Sequence, residues 1–233
     1  MAIKALLFDK DGTLADFQAT FNSATGQVLK KLFPDDEKGF MAAAKAVSYD
    51  SKTGIIGDDS IIVAGSGVDI ASAIGPILGR ENVVQFSVEL DRMFGEECIK
   101  TVTELPFASK TLRKLHSEGF LLGVATNDSE VNAVNQMKAL GLDALFVRII
   151  GADSGFGAKP GPGMVTQFIE DCRCQPSEVV MVGDSIHDLQ AGRAAGALTC
   201  AVLTGPATRR ELDPFADWVL SSIDQLPETI ASN

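Results

Sequence analysis

Two aspartates one residue apart, Asp9 and Asp11, close an apolar run in the segment Phe8-Asp9-Lys10-Asp11-Gly12-Thr13-Leu14. In extended backbone, side chains at i and i+2 share a face while the residue between them points away. Both carboxylates can therefore enter one pocket, with Lys10 directed elsewhere. Gly12 permits a sharp turn, and the Thr13 hydroxyl can tie it down. Two crowded carboxylates call for a cation or a shared proton. An ordinary surface turn would use the same residue types.

Complementary groups follow three later apolar runs. Thr126-Asn127 come after Leu121 to Ala125, and Gly183-Asp184 come after Val179 to Val182, with Asp188 four residues further on. Lys159-Pro160 end a glycine-rich loop that follows the run at 145–150. Asp9, Asp11 and Asp184 in one pocket would repel one another, so a hard divalent cation with oxygen ligands is the expected occupant. Mg²⁺ fits, because it takes one or two carboxylates and keeps waters and substrate oxygens. A carboxylate can also attack phosphorus to give an aspartyl-phosphate. Attack on an anionic phosphate becomes feasible where a metal and a cation such as Lys159 neutralise charge, and Thr126 offers a hydroxyl to a phosphoryl oxygen. Each group has an ordinary use as well. Thr126 to Ser129 suit a helix N-cap, Lys159 suits a solvated loop, and Asp184 and Asp188 suit the charged start of a helix.

The elements that would position these groups are legible from periodicity. Short apolar runs at 5–8, 120–125, 145–150, 179–182, 198–203 and 218–220 read as strands. Helical spacing fills 108–118, 129–140, 164–172, 188–195 and 222–230 between or after them. That alternation predicts an α/β fold, a doubly wound and mostly parallel sheet covered on both faces. Ligands of such sheets bind beyond the carboxyl ends of the strands, which gathers Asp9, Asp11, Thr126, Lys159 and Asp184 at one edge. Residues 15–97 differ. They show helical spacing at 17–33, 40–47 and 83–94, a loop from Asp50 to Asp58, and a short helix after Ser66. The expected organisation is a catalytic core of 1–14 and 98–233 with a mainly helical insertion at 15–97.

Composition narrows the function. With 45% hydrophobic and 22% charged residues, the 233-residue chain reads as an ordinary globular protein. A formal net charge of −11 argues against nucleic acid or an anionic membrane surface as partner. No apolar run reaches the ~18 residues of a membrane span, and the start shows no leader pattern, so a cytoplasmic location is expected. Cys98, Cys172, Cys174 and Cys200 lack zinc-site spacing and disulfide density. Cys172-Arg-Cys174 could hint at metal or redox chemistry, but free thiols are expected.

The four motifs together resemble the haloacid dehalogenase-like (HAD) hydrolases, in their phosphoglycolate phosphatase-like branch. Asp9-Lys-Asp11-Gly-Thr13-Leu14 matches the first family motif, and the strand ending at Thr126 matches the second. Lys159-Pro160 matches the third, and Gly183-Asp184-Ser185-Ile-His-Asp188 the fourth. The resemblance implies a Rossmann-like core with a helical cap inserted between the first two motifs. It implies Asp9 as nucleophile and Asp11 as general acid, then base. Mg²⁺ would be held by Asp9, the Asp11 backbone carbonyl and Asp184. Thr126 and the Asn127 amide would bind phosphoryl oxygens, and Lys159, oriented by Asp188, would neutralise phosphoryl charge. The acid at Asp11 points to phosphate esters, since a halide leaving group needs no proton. The expected substrate is a small phosphorylated metabolite, 2-phosphoglycolate first, acted on by a monomer or homodimer. A sugar phosphomutase of the β-phosphoglucomutase type shares all four motifs, and a catalytically silent binding protein on the same fold is a third reading. Lys45, Lys52 and Arg92 are cationic candidates in the insertion, where no motif transfers, and each also suits a solvated surface. Lys10 replaces a more usual apolar residue.

Overall fold

The computed structural model describes residues 2–57 and 59–231. Strand β1 (Ala5–Phe8) leads into α1 (Phe17–Leu32), α2 (Glu37–Ala46), the short pair β2 (Tyr49–Asp50) and β3 (Ile55–Ile56), α3 (Ile61–Ala64), α4 (Gly67–Ile74) and α5 (Val83–Thr101). There follow α6 (Ala108–Ser117), β4 (Leu121–Ala125), α7 (Glu130–Ala139), β5 (Phe146–Ile150), α8 (Gly163–Cys172) and β6 (Val179–Gly183). The chain ends through α9 (Ile186–Ala194), β7 (Leu198–Val202), α10 (Arg209–Leu212), β8 (Trp218–Leu220) and α11 (Leu226–Ala231). It divides into two compact units, one formed by the residues up to Asp16 and from Glu104 on, the other by Phe17–Thr103.

The larger unit is a six-stranded sheet in the order β5-β4-β1-β6-β7-β8, with every pairing parallel. β1 lies centrally between β4 and β6. Its four residues are all buried, because both faces of a parallel sheet are covered. Leu6 and Phe8 pack on one side with Leu112, Leu115, Leu122 and Val182. Ala5 and Leu7 pack on the other with Met164, Phe168, Val179 and Met181. Strand order reverses around β1, since β4 and β5 lie to one side and β6, β7 and β8 to the other. Ligand crevices form at such a switch point.

The second unit has its own core, built around Val28, Leu29, Phe86, Leu90 and Phe94 on α1 and α5. Asp36 caps α2 by accepting from the Gly39 amide, which explains the break at Pro34. The loop expected over Asp50–Asp58 instead contains β3, which pairs antiparallel with β2, while Asp58 lies outside the described residues. α5 runs on to Thr101, and Cys98 is buried in this unit's core, not in the sheet unit. Ala15 forms bridges with Asp11 and Glu104, which ties both ends of the sheet unit's break together. The division therefore falls after Asp16 and before Glu104, a few residues beyond the expected limits at 14 and 98. Lys45, Lys52 and Arg92 are exposed, and Arg92 pairs with Glu96. Among the described residues, all four cysteines are free and no helix is long and apolar enough to cross a membrane.

Candidate active site

Asp9 follows β1 directly, with its amide donating to the Val182 carbonyl of β6, 2.8 Å away. The turn after it is held mainly by backbone. The Leu14 and Ala15 amides both donate to the Lys10 carbonyl, at 2.8 and 2.9 Å. The Thr13 hydroxyl, expected to tie the turn, is buried without a hydrogen-bond partner. Thr204, after β7, supplies the hydroxyl instead and donates to the Gly12 carbonyl at 2.6 Å. Gly12 has φ +83°, and a Cβ there would lie 2.4 Å from Asp184 Oδ2. Both the turn and the approach of Asp184 therefore need glycine.

Lys159 is the electrostatic centre. Its Nζ lies 2.6 Å from Asp9 Oδ1 and 2.6 Å from Asp188 Oδ1, and it donates to the Ala125 carbonyl at 2.8 Å. Its side chain is 3% exposed, which excludes the solvated-loop alternative. Asn127 fixes its backbone from both sides, with Oδ1 accepting from the Lys159 amide and Nδ2 donating to the Lys159 carbonyl. Burial alone would lower this ammonium's pKa, but the carboxylates of Asp188 and Asp9 outweigh it and hold it above the usual lysine range. Asp188 also closes a capping box, its Oδ2 accepting from the Ser185 amide and hydroxyl. The helix-capping and site readings of Asp188 thus both hold, one on each oxygen.

Burial, opposed by Lys159 and reinforced by Asp188 and Asp11, pushes Asp9 up to about 7. Asp184, buried beside Asp9 and Asp188, is raised well above the usual carboxylate range. Asp9, Asp184 and Asp188 each bring one oxygen within 4.8 Å of the others. Both Asp188 oxygens already have partners, so Asp9 and Asp184 are the carboxylates able to face a cation. A glycine also meets Asp184 from the loop after β7, where a Cβ on Gly205 would lie 1.6 Å from Oδ2. Buried, mutually repelling oxygens beside the Lys159 ammonium fit a hard divalent ion. Thr126, at the end of β4, is buried, and its Oγ1 accepts from the Asp128 amide at 3.1 Å. Its hydroxyl proton remains to be donated.

Lys10 does not point away from the site. It is fully buried, with Nζ 2.6 Å from Asp11 Oδ2, because the tight turn brings the long side chain back alongside Asp11. Burial raises the Asp11 carboxyl, with Lys10 opposing. The expected cap at Thr126 to Ser129 is only partly realised. Ser129 Oγ caps nothing, and Asp153 Oδ1 accepts from the Glu130 amide. Sequence reasoning missed Asp128, Gln136, Thr204 and Gly205. Polar residues at one-turn intervals, Asp128 just before α7 and Asn132 and Gln136 on it, were a usable signal for the first two, whereas the loop after β7 carried none.

The haloacid dehalogenase-like hydrolase family matches residues 3–196, a span that includes Asp9, Thr126, Lys159 and Asp184. The chain belongs to the haloacid dehalogenase-like hydrolases. Among the relatives of this HAD hydrolase, a phosphoglycolate phosphatase of Vibrio vulnificus is 28% identical over 227 residues, 95% of each chain. The pyrophosphatase PpaX of Listeria monocytogenes is 26% identical over 234 residues, covering 96% of this chain and 94% of its own. The crystal structure of a HAD phosphatase from Thermococcus onnurineus superposes with a TM-score of 0.71 at 21% identity, covering 98% of each chain. That likeness is one of fold.

Proposed function

We propose that this HAD hydrolase is a Mg²⁺-dependent phosphomonoesterase that hydrolyses a small phosphorylated metabolite, 2-phosphoglycolate first, through an aspartyl-phosphate on Asp9. The observation that carries the reading is the buried Lys159 ammonium, 2.6 Å from a carboxylate at the end of the central strand. The likeness to the Vibrio phosphatase supports the choice of substrate.

An Asp9 oxygen attacks phosphorus and the bond to the ester oxygen breaks. Asp11 gives its proton to the departing alkoxide. A water then loses a proton to Asp11 and attacks phosphorus, the Asp9–phosphorus link breaks, and inorganic phosphate leaves. Thr126 Oγ1 and the Asn127 backbone amide donate to phosphoryl oxygens. The Asn127 side chain has a different job, since both its polar atoms hold the Lys159 backbone. Lys159 neutralises phosphoryl charge while Asp188 keeps its ammonium in place. Mg²⁺, held by Asp9, Asp184 and the Asp11 carbonyl, would supply charge neutralisation for an anion meeting an anion.

The test is phosphate release with Mg²⁺ from a panel of 2-phosphoglycolate, sugar phosphates, nucleotides and inorganic pyrophosphate, the last included because of the Listeria relative. Free phosphate from 2-phosphoglycolate is expected. Chelation should abolish it, and Asp9→Asn should lower it by at least about 10³-fold while the protein stays folded. Undiminished turnover by Asp9→Asn would overturn the nucleophile. Isomerisation of a sugar phosphate without phosphate release would make the enzyme a mutase.

A further inference from the structure

Lys10 presents the largest unexplained charge in the sheet unit. Lysine is almost never fully buried unless paired, yet this one is 0% exposed. Its Nζ donates to Gln136 Oε1 at 2.9 Å and lies 2.6 Å from Asp11 Oδ2 and 3.3 Å from Asp128 Oδ2. Asp128 is itself fixed, accepting from Gln136 Nε2 at 3.3 Å, Asn132 Nδ2 at 3.2 Å and the Ser129 amide at 2.8 Å. Residues 128, 132 and 136 recur at one-turn spacing, so one face of α7 and Asp128, two residues before it, hold the ammonium. Stability is a poor explanation for such an arrangement. A buried ionic cluster is often no more stable than apolar side chains of the same volume.

The arrangement is lopsided at Asp11. One carboxyl oxygen meets Lys10, while the other, Oδ1, is buried without a hydrogen-bond partner. A bare buried acceptor is costly, so its retention calls for a use. We propose that Lys10 is a positioning residue for Asp11: anchored on α7, it clamps Oδ2 and thereby presents Oδ1 as the oxygen that carries the catalytic proton. This rests on the reading of Asp11 as proton donor given above. In the first step the Oδ1 proton goes to the leaving alkoxide as its bond to phosphorus breaks. In the second, Oδ1 takes a proton from the water whose oxygen bonds to phosphorus. Lys10 keeps its own protons throughout.

The test uses leaving-group dependence in the full chain with Mg²⁺. Departing alkoxide from 2-phosphoglycolate needs a proton, whereas 4-nitrophenolate from 4-nitrophenyl phosphate does not. Lys10→Met should lower kcat/KM for 2-phosphoglycolate by about tenfold or more while that for 4-nitrophenyl phosphate changes by less than about threefold. The double variant Lys10→Met/Asp128→Asn keeps the buried net charge of the parent and should show the same selective loss, which separates positioning from misfolding. Equal losses on both esters in variants that melt like the parent, or no loss on either, overturn the proposal. Asp11→Asn is measured alongside. If it discriminates between the esters and Lys10→Met does not, only this inference fails. If Asp11→Asn does not discriminate either, the proton-donor reading fails with it.

Discussion

Lys159 holds two buried carboxylates at once, and their claims on it are not equal in purpose. In the proposed mechanism a phosphoryl group replaces the Asp9 contact, while Asp188 is committed, with one oxygen on the ammonium and the other on Ser185. Asp188 is therefore the fixed support and Asp9 the exchangeable partner. Asp188→Asn keeps the shape and the cap acceptor but removes the charge that holds the ammonium. Supporting partners of this kind are worth about 10–100-fold in activity, so a kcat loss of that size is expected. Loss of kcat with the circular dichroism spectrum unchanged is the outcome to look for. A drop in kcat matched by loss of folded protein would assign Asp188 to helix capping alone.

At the scale of elements, the site is assembled from strand ends by a sheet whose order reverses at β1. That much was legible, because the strands read as continuous apolar runs, Asp9, Thr126 and Asp184 come at their ends, and Lys159 closes the loop after β5. Three features were not. Alternation directs Lys10 away from the site because it assumes extended backbone, but the chain turns tightly from Lys10 onward, with the Ala15 amide returning to the Lys10 carbonyl at 2.9 Å. The β2–β3 pair was invisible because two residues per strand leave no period to read. The loop after β7 contributes Thr204 and Gly205 through a backbone approach that no side-chain pattern encodes. Gly205 is the sharper test of that loop. A Cβ there would overlap Asp184 Oδ2, so Gly205→Ala must displace either the loop or the carboxylate. The half-saturating Mg²⁺ concentration for turnover should rise by about tenfold or more. Leu203 and Ala207 pack the same loop against Leu189, Ala201 and Leu212, so thermal stability without metal is measured alongside to separate loss of fold from loss of metal affinity. An unaltered Mg²⁺ requirement would mean that Gly205 does not set the position of Asp184.

The whole molecule stores electrostatic strain in one place, and pH should reveal it. Asp9 is pushed from an ordinary 3.8 to about 7, mainly by burial, and Asp184 is raised in the same direction. A folded carboxylate with a raised pKa keeps a proton that the unfolded chain releases, so stability falls as pH rises across that interval. For the chelated protein the share of that fall due to Asp9 runs from about pH 4 through about pH 7, and Asp184 adds to it in the same direction. Glu97 acts in the opposite sense: hydrogen bonds from Lys100 and Lys31 lower its carboxyl, and its contribution disappears in acid. Net charge offers a rival cause, since −11 spread over the surface also grows more unfavourable as pH rises. Surface repulsion is screened within ~8 Å at physiological salt, whereas a buried cluster is screened much less. The chelated protein should therefore melt lower at about pH 8 than at about pH 5.5, and should still do so in about 0.5 M salt. On the proposed Mg²⁺ site, saturating Mg²⁺ would favour the ionised carboxylates and raise stability as any ligand of the folded state does, so the difference should shrink or vanish. Asp9→Asn should flatten the chelated profile without metal. A chelated parent that melts at the same temperature at both pH values would show that these carboxylates are not raised, and with them would go the electrostatic argument for a cation at this site.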